Sequence, residues 1–280
     1  MFGSNKKFKI KWHPSLIIGL IGGVSAGLFY EVLILYSIVL FHEYGHVFMA
    51  KHLGWQVQSV TIWLFGGIMK TDDYHNRSSY EQFLVTIAGP LQHVFIYLLL
   101  LICSYLRLIE GSLLSFARNY NQLILLFNLV PIWPLDGGKM YHLVLNRWLP
   151  FVKAYKLTLV TSFVLISTLM IFTTYMSYFS VNRLILASFL SWQNYLDYKQ
   201  SPYLFRRFLI GRYQIDMTHL KKQELLVHST TPIKELVEKF QSAFTHVIHI
   251  YDQDQYVTEH DILTVYFNHP TYTTVNQCIK

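Results

Sequence analysis

Long apolar runs, separated by short polar and mostly basic stretches, dominate the chain. Residues 14–30, 32–50, 82–106, 121–142, 157–178 and 181–192 each carry enough apolar side chains to cross or nearly cross the hydrocarbon layer of a bilayer. The pattern predicts an α-helical polytopic membrane protein with six transmembrane helices. Almost nothing separates the first run from the second, so these two are expected to form a tight antiparallel hairpin. The first is glycine-rich and follows Lys6, Lys7, Lys9 and Lys11. Its Val24-Ser25-Ala26 resembles a cleavage site, which makes a signal peptide the alternative reading. In the third run Ala88-Gly89-Pro90 should kink the helix, and Gln92 and His93 follow as a polar pair. The fourth carries Asn128, Pro131, Pro134, Asp136, Gly137 and Gly138, too many breakers for a regular helix. The fifth and sixth read as lipid-facing scaffold.

Two stretches break the helical pattern. Between residues 51 and 81, the β-branched and aromatic residues of 57–65 lead into Gly66-Gly67 and favour strands. This stretch is too short to span and is expected to be a membrane-associated β or re-entrant segment buried against protein. Beyond residue 195 hydropathy falls, and Lys199, Arg206, Arg207 and Arg212 suggest a surface linker over residues 197–222. Residues 223–280 then read as a small α+β unit. Its first helix follows Thr231-Pro232 with Ile233, Leu236, Val237 and Phe240 on one face, and strands at 246–251 and 255–258 precede a helix at 259–267. Residues 1–196 make up the membrane-embedded domain.

Composition agrees with this division. The 280 residues are 52% hydrophobic and 14% charged, with a mean hydropathy of +0.30, far from an ordinary soluble domain. A net charge of +7 could suggest nucleic acid, but the basic residues are scattered between apolar runs and are better explained by orientation in a membrane. Their excess lies on the side of residues 1–13, 51–81 and 147–156, which puts both termini in the cytoplasm. Cys103 and Cys278 read as free thiols rather than a disulfide.

The second run holds the chemistry. His42-Glu43-Tyr44-Gly45-His46 matches H-E-x-x-H, and helical geometry directs both imidazoles to one point, where a zinc ion fits. Glu43 then sits beside the metal. Zinc lowers the pKa of a bound water to about 7, and a neighbouring carboxylate can move its proton. The bland alternative, polar residues facing a helix bundle, must account for three such residues within five positions. A zinc hydrolase also needs a third protein ligand and an open position. His52 would face away from His46, Glu81 follows a loop, and His93 suits a satisfied polar contact in the bundle. Asp136 lies at the same depth as the histidines, and metal coordination would offset the cost of about 2.5–3.5 kcal/mol for placing it mid-membrane.

His42-Glu43-x-x-His46 on one membrane helix with Leu135-Asp136-Gly137 on a later one resembles the site-2 protease family of intramembrane zinc metalloproteases. Leu64-Phe65-Gly66-Gly67, Ala88-Gly89-Pro90-Leu91-Gln92-His93 and the stretch from Asn128 to Lys139 resemble its sporulation branch most closely. The resemblance implies one Zn2+ per chain, held by His42, His46 and Asp136, with Glu43 as catalytic base. Asn128 would help hold substrate, an interhelical hydrogen bond being its bland alternative. Apart from the resemblance, the strand segment with Phe65, Gly66 and Gly67 could receive an extended substrate by strand addition, with Pro134 as a further candidate contact. The implied substrate is a membrane-associated protein, the precursor of a sigma factor. Inhibitory membrane proteins would be partners, and the implied site of action is the bacterial membrane around the forespore, facing the mother cell. The tail resembles a single cystathionine-β-synthase (CBS) domain, which would imply self-association and an adenine nucleotide such as ATP. A membrane zinc transporter and a catalytically inactive adaptor are the alternatives; the first would not need Glu43, and the second would have lost a ligand or the base.

Overall fold

The computed structural model describes residues 9–63, 66–71, 77–176, 180–214, 220–268 and 274–278. It forms two compact units. The described parts of Met1–Tyr74, Tyr80–Val130 and Leu135–Gly137 make the first, and 131–134 with the chain from Gly138 onward make most of the second.

The first unit opens with strand β1 (Lys9–Trp12) and helix α1 (Pro14–Ser25). Pro14 occupies the first turn, and the His13 side chain accepts the Ser15 backbone N–H. At 12 residues α1 is shorter than the expected span. It ends because Gly27, at φ +78°, takes the left-handed conformation. Gly27 and Leu28 then return their N–H groups to the carbonyls of Val24 and Gly23. Helix α2 (Phe29–His52) follows, with Glu31 in its first turn and Lys51 and His52 in its last, matching the helix dipole at both ends. It stops by the same device. Gly54 has φ +74°, while Gly54 and Trp55 donate to Lys51 and Ala50. This stop turns the chain directly into a sheet.

That sheet contains β1, β2 (Val57–Trp63) and β3 (Gly66–Thr71) in the order β1-β2-β3. β2 and β3 are the expected strand segment, paired antiparallel, whereas β1 adds in parallel from residues read only as a basic leader. Helices α3 (Ser79–Tyr105) and α4 (Gly111–Leu129) complete the unit, and α3 runs on through Pro90. The polarity of the unit is inverted relative to a soluble domain. Leu40, Phe41, Phe48, Phe95 and Ile102 are exposed, while His42, Glu43, His46, Gln82, His93 and Asn121 are buried. That is the pattern expected where lipid rather than water is outside.

In the second unit, the breaker-rich segment ahead of α5 (Asp136–Leu145) is non-helical, as expected. Trp133 ties it to helices α6 (Phe151–Tyr175) and α7 (Val181–Gln214). Its N–H donates to Ser162 Oγ at 2.8 Å, its indole to Asp197 Oδ2 at 2.9 Å, and its carbonyl accepts from Asn194 at 2.6 Å. Of the described helices, α2, α3 and α6 are long and apolar enough to cross a membrane. The other expected spans are the short α1, the α4–α5 stretch, and the start of α7.

Residues 197–214 are not an extended linker. They continue α7, and Phe208 and Leu209 enter a buried core with Phe151, Leu236, Phe240, Ile248 and Ile262. The tail unit has a sheet in the order β4-β5-β6, with β4 (Lys221–Val227), β5 (Phe244–Ile250) and β6 (Gln255–Thr258). Helices α8 (Ile233–Glu238) and α9 (Glu259–Asn268) accompany it. β4 pairs in parallel with β5 and had no counterpart in the sequence reading.

Arg212 explains why α7 extends so far. It is buried and donates to both oxygens of Glu259, to Gln241 O at 3.0 Å and to Phe244 O. Glu259 Oε2 also accepts from His246 N at 2.8 Å and Nδ1 at 3.0 Å, and His246 Nε2 accepts from Gln241 N. Burial holds the His246 pKa below its ordinary value. Burial alone would raise that of Glu259, but the bond from His246 and the Arg212 charge overcome it and hold it low. Both shifts have the same consequence for stability. On acidification the unfolded His246 takes up a proton first, near its ordinary value of about 6.5, and the unfolded Glu259 does so lower, so protonation favours unfolding. Amide exchange in β5 and α9, corrected for intrinsic rates, should therefore accelerate progressively below about pH 6.5. Arg212→Met, which leaves Glu259 buried without its cation, should cost about 3–5 kcal/mol of protection there.

Candidate metal centre

On α2 His42 and His46 stand one turn apart, and their Nε2 atoms approach to 3.1 Å. Asp136, the first residue of α5, places Oδ2 3.1 Å from each of them. All three residues are buried, at 3%, 6% and 3% exposure, and they form a cluster able to hold a metal ion. The polarity of their other contacts tests whether a cation fits. His46 Nδ1 lies 2.8 Å from the Val85 carbonyl. A carbonyl only accepts, so Nδ1 carries the proton, and the Nε2 of a neutral His46 presents a lone pair. That lone pair faces a carboxylate oxygen and the second imidazole. The two acceptors, His46 Nε2 and Asp136 Oδ2, repel at 3.1 Å unless a cation lies between them. Tetrahedral donors about 2.0–2.2 Å from a zinc ion would stand roughly 3.3–3.6 Å apart, so the triangle needs to open only slightly to suit zinc.

Glycines let the surrounding backbone come this close. A Cβ on Gly89 would overlap the His46 ring and lie 2.9 Å from His42 Cε1, so α3 carries its bare backbone at the point where both imidazoles rest. Gly67 does the same for Glu43. Its N–H donates to Glu43 Oε1 at 2.8 Å, and an added Cβ would fall 2.5 Å from Glu43 Cδ and 2.7 Å from Oε2. The start of β3 is thus held on the buried carboxylate of Glu43, the residue after His42 on α2.

Residues 30–110 match Peptidase family M50. Stage IV sporulation protein FB of Bacillus subtilis strain 168 is 33% identical over 263 residues, spanning 92% of this chain and 91% of that protein. The chain belongs to peptidase family M50, the site-2 proteases. A zinc metalloprotease of Methanocaldococcus jannaschii is 31% identical over 147 residues, which cover 51% of this chain and 42% of that protein. In fold the M50 chain resembles the solved site-2 protease from the same archaeon, with a TM-score of 0.55 at 21% identity over 71% of this chain and 94% of the other. It is a metalloprotease with apolar helices suited to a membrane, and its family implies zinc.

Other residues singled out in this M50 sequence are placed less centrally. Asn128 uses its amide N–H on its own helix, donating to Ile124 O at 3.0 Å. Gly66 is half-buried beside Gly67, Pro134 is half-buried in the second unit, and Phe65 lies outside the described residues. Glu81 is no ligand to the cluster but accepts the Trp55 indole at 2.9 Å. The sequence offers Gly89 as part of a kink and of a family motif, and nothing in it singles out Asn121. A glycine one residue before Pro90 in an apolar helix is a signal of close backbone approach that the proline obscured.

The two glycines touch different parts of the site, Gly67 meeting Glu43 and Gly89 the two imidazoles. Gly67→Ala should push Glu43 aside and reduce proteolysis by about 100-fold while metal content stays near one zinc per chain. Gly89→Ala should drive into both imidazoles and lose the metal itself. Metal analysis of the purified variants alongside a cleavage assay checks both outcomes.

Proposed function

We propose that this chain is an intramembrane zinc metalloprotease that cleaves a membrane-associated protein precursor, with the precursor of a sigma factor as the substrate implied by its sporulation-type motifs. One observation supports the reading: Glu43, the residue after His42 on α2, is buried and oriented by the Gly67 backbone N–H and stands outside the cluster of His42, His46 and Asp136. His42, His46 and Asp136 hold the zinc. When bound, zinc supplies Lewis acidity to the scissile carbonyl and to water. Gly67 anchors Glu43 Oε1, which leaves Oε2 to take the proton of the attacking water and return it to the departing amide nitrogen. The buried apolar surroundings exclude bulk water and strengthen these interactions.

The substrate must be extended before its peptide bond is accessible, and β3 supplies a template. Among the described residues it pairs only with β2, leaving an edge. Gly67 N–H points away from β2 toward Glu43, so by strand alternation Met69 N–H points the same way. An unwound substrate adding to this edge runs past Glu43. Gly66 and Gly67 keep the edge narrow, and Asn128 is a further candidate contact for substrate. The basic distribution of the sequence orients the six crossings with the termini in the cytoplasm, so water and substrate enter from that side, which in a sporulating cell is the mother-cell face of the forespore membrane.

Co-expression with a sigma-factor precursor tests the whole reading. Glu43→Gln should retain zinc and lose about 10²–10⁴-fold in cleavage; cleavage at the wild-type rate would remove Glu43 as the base. Met69→Pro, which deletes an N–H on the outer edge only, should raise KM several-fold with kcat little changed, and an unchanged KM would exclude strand addition at β3.

A further inference from the structure

His93 and Asn121 are almost completely buried, at 1% and 0% exposure, and the scheme above gives them no role. They form a directed chain of contacts. His93 on α3 places Nε2 3.1 Å from His42 Nδ1 and Nδ1 2.7 Å from Asn121 Oδ1 on α4. Asn121 Nδ2 in turn lies 3.0 Å from the carbonyl oxygen of His93 itself. This last contact has one possible polarity. The carbonyl only accepts, so the amide nitrogen faces it and the amide oxygen faces the ring. That oxygen only accepts, so His93 Nδ1 carries a proton. Neutral His93 then presents its lone pair at Nε2, and His42 must donate to it from Nδ1. A proton on Nδ1 leaves the lone pair of His42 on Nε2, the atom in the donor triangle. A single backbone carbonyl thereby dictates, through three side-chain groups, which nitrogen of His42 faces the metal. His46 reaches the same state in one step, through Val85.

We propose that His93 and Asn121 are positioning residues for the metal centre, holding the His42 ring as its Nδ1–H tautomer, so that tight metal binding depends on Asn121 although it hydrogen-bonds to none of the three donors. The proposal rests on His42, His46 and Asp136 being the zinc ligands. Outer partners of this kind typically contribute 10- to 100-fold in metal affinity by fixing tautomer and orientation. An amide and an imidazole that merely join α3 to α4 would contribute to stability and leave affinity unchanged.

Chelator competition on the purified full-length protein, with thermal unfolding of the zinc-free form alongside, separates these roles. His93→Leu and Asn121→Leu should each weaken zinc binding by about 10- to 100-fold. His93→Gln, whose amide oxygen can still accept from His42, should recover most of that loss. Leucine variants that bind as tightly as wild type, or a glutamine variant no better than leucine, overturn the proposal. Should a leucine variant fail to fold, the wild-type protein still decides: solid-state NMR of the zinc-loaded, 15N-histidine-labelled chain, assigned with His93→Gln, should show His93 neutral and protonated at Nδ1. A proton on its Nε2 refutes the relay. Zinc retained undiminished by His46→Ala would instead overturn the ligand assignment beneath it.

Discussion

Polar groups in an apolar helix bundle must satisfy one another, and in this protein that constraint governs every element around the donor triangle. Two imidazoles and two carboxylates, Glu43 and Asp136, are withdrawn from solvent in helices whose outer faces are apolar. Removing such groups from water costs several kcal/mol each unless they are paired or bind a cation. The unit answers at each point. A carbonyl of α3 accepts from His46, a histidine on α3 meets His42, and a strand N–H donates to Glu43. The remaining donor atoms of His42, His46 and Asp136 converge on one another in a cluster able to hold a metal ion. The chemistry expected of a metalloprotease and the requirement for internal satisfaction select the same geometry.

Close backbone approach is the second half of that solution. Two imidazoles cannot lie against a helix that carries side chains on that face, and a strand cannot donate to a buried glutamate through a Cβ. Gly89 and Gly67 remove these obstacles. The glycines at residues 27 and 54 work differently, ending α1 and α2 in left-handed caps so that the chain turns where the hairpin and the sheet require it. Together these positions explain why a mostly apolar chain keeps glycine inside elements that would otherwise be stronger without it.

The tail follows a different logic. Its sheet and two helices had been visible as alternating and amphipathic patterns, apart from β4, whose Lys221-Lys222-Gln223-Glu224 opening reads as a polar loop. Its core, however, is not its own. Phe151 from α6 and Phe208 and Leu209 from α7 are buried in it, and Arg212 at the end of α7 is clamped by Glu259 and two backbone carbonyls. A basic, low-hydropathy stretch resembles a linker because sequence reports charge, not whether that charge will find a buried partner. Arg212 is one residue in such a stretch that does.

The order of residues alone determined the apolar segmentation, the pairing of His42 with His46, the flanking carboxylate and the candidacy of Asp136. Each of these depends on short-range periodicity or on the cost of a charge in an apolar run, and both are local properties. Tertiary structure decided what locality cannot specify. The parallel addition of β1 joins residues fifty positions apart, and the relay from His42 to Asn121 links three helices. Hydrogen-bond direction in that relay is set by a carbonyl whose neighbours are known only once the helices have packed, and so the protonated nitrogen of His42 is a property of the fold rather than of the motif.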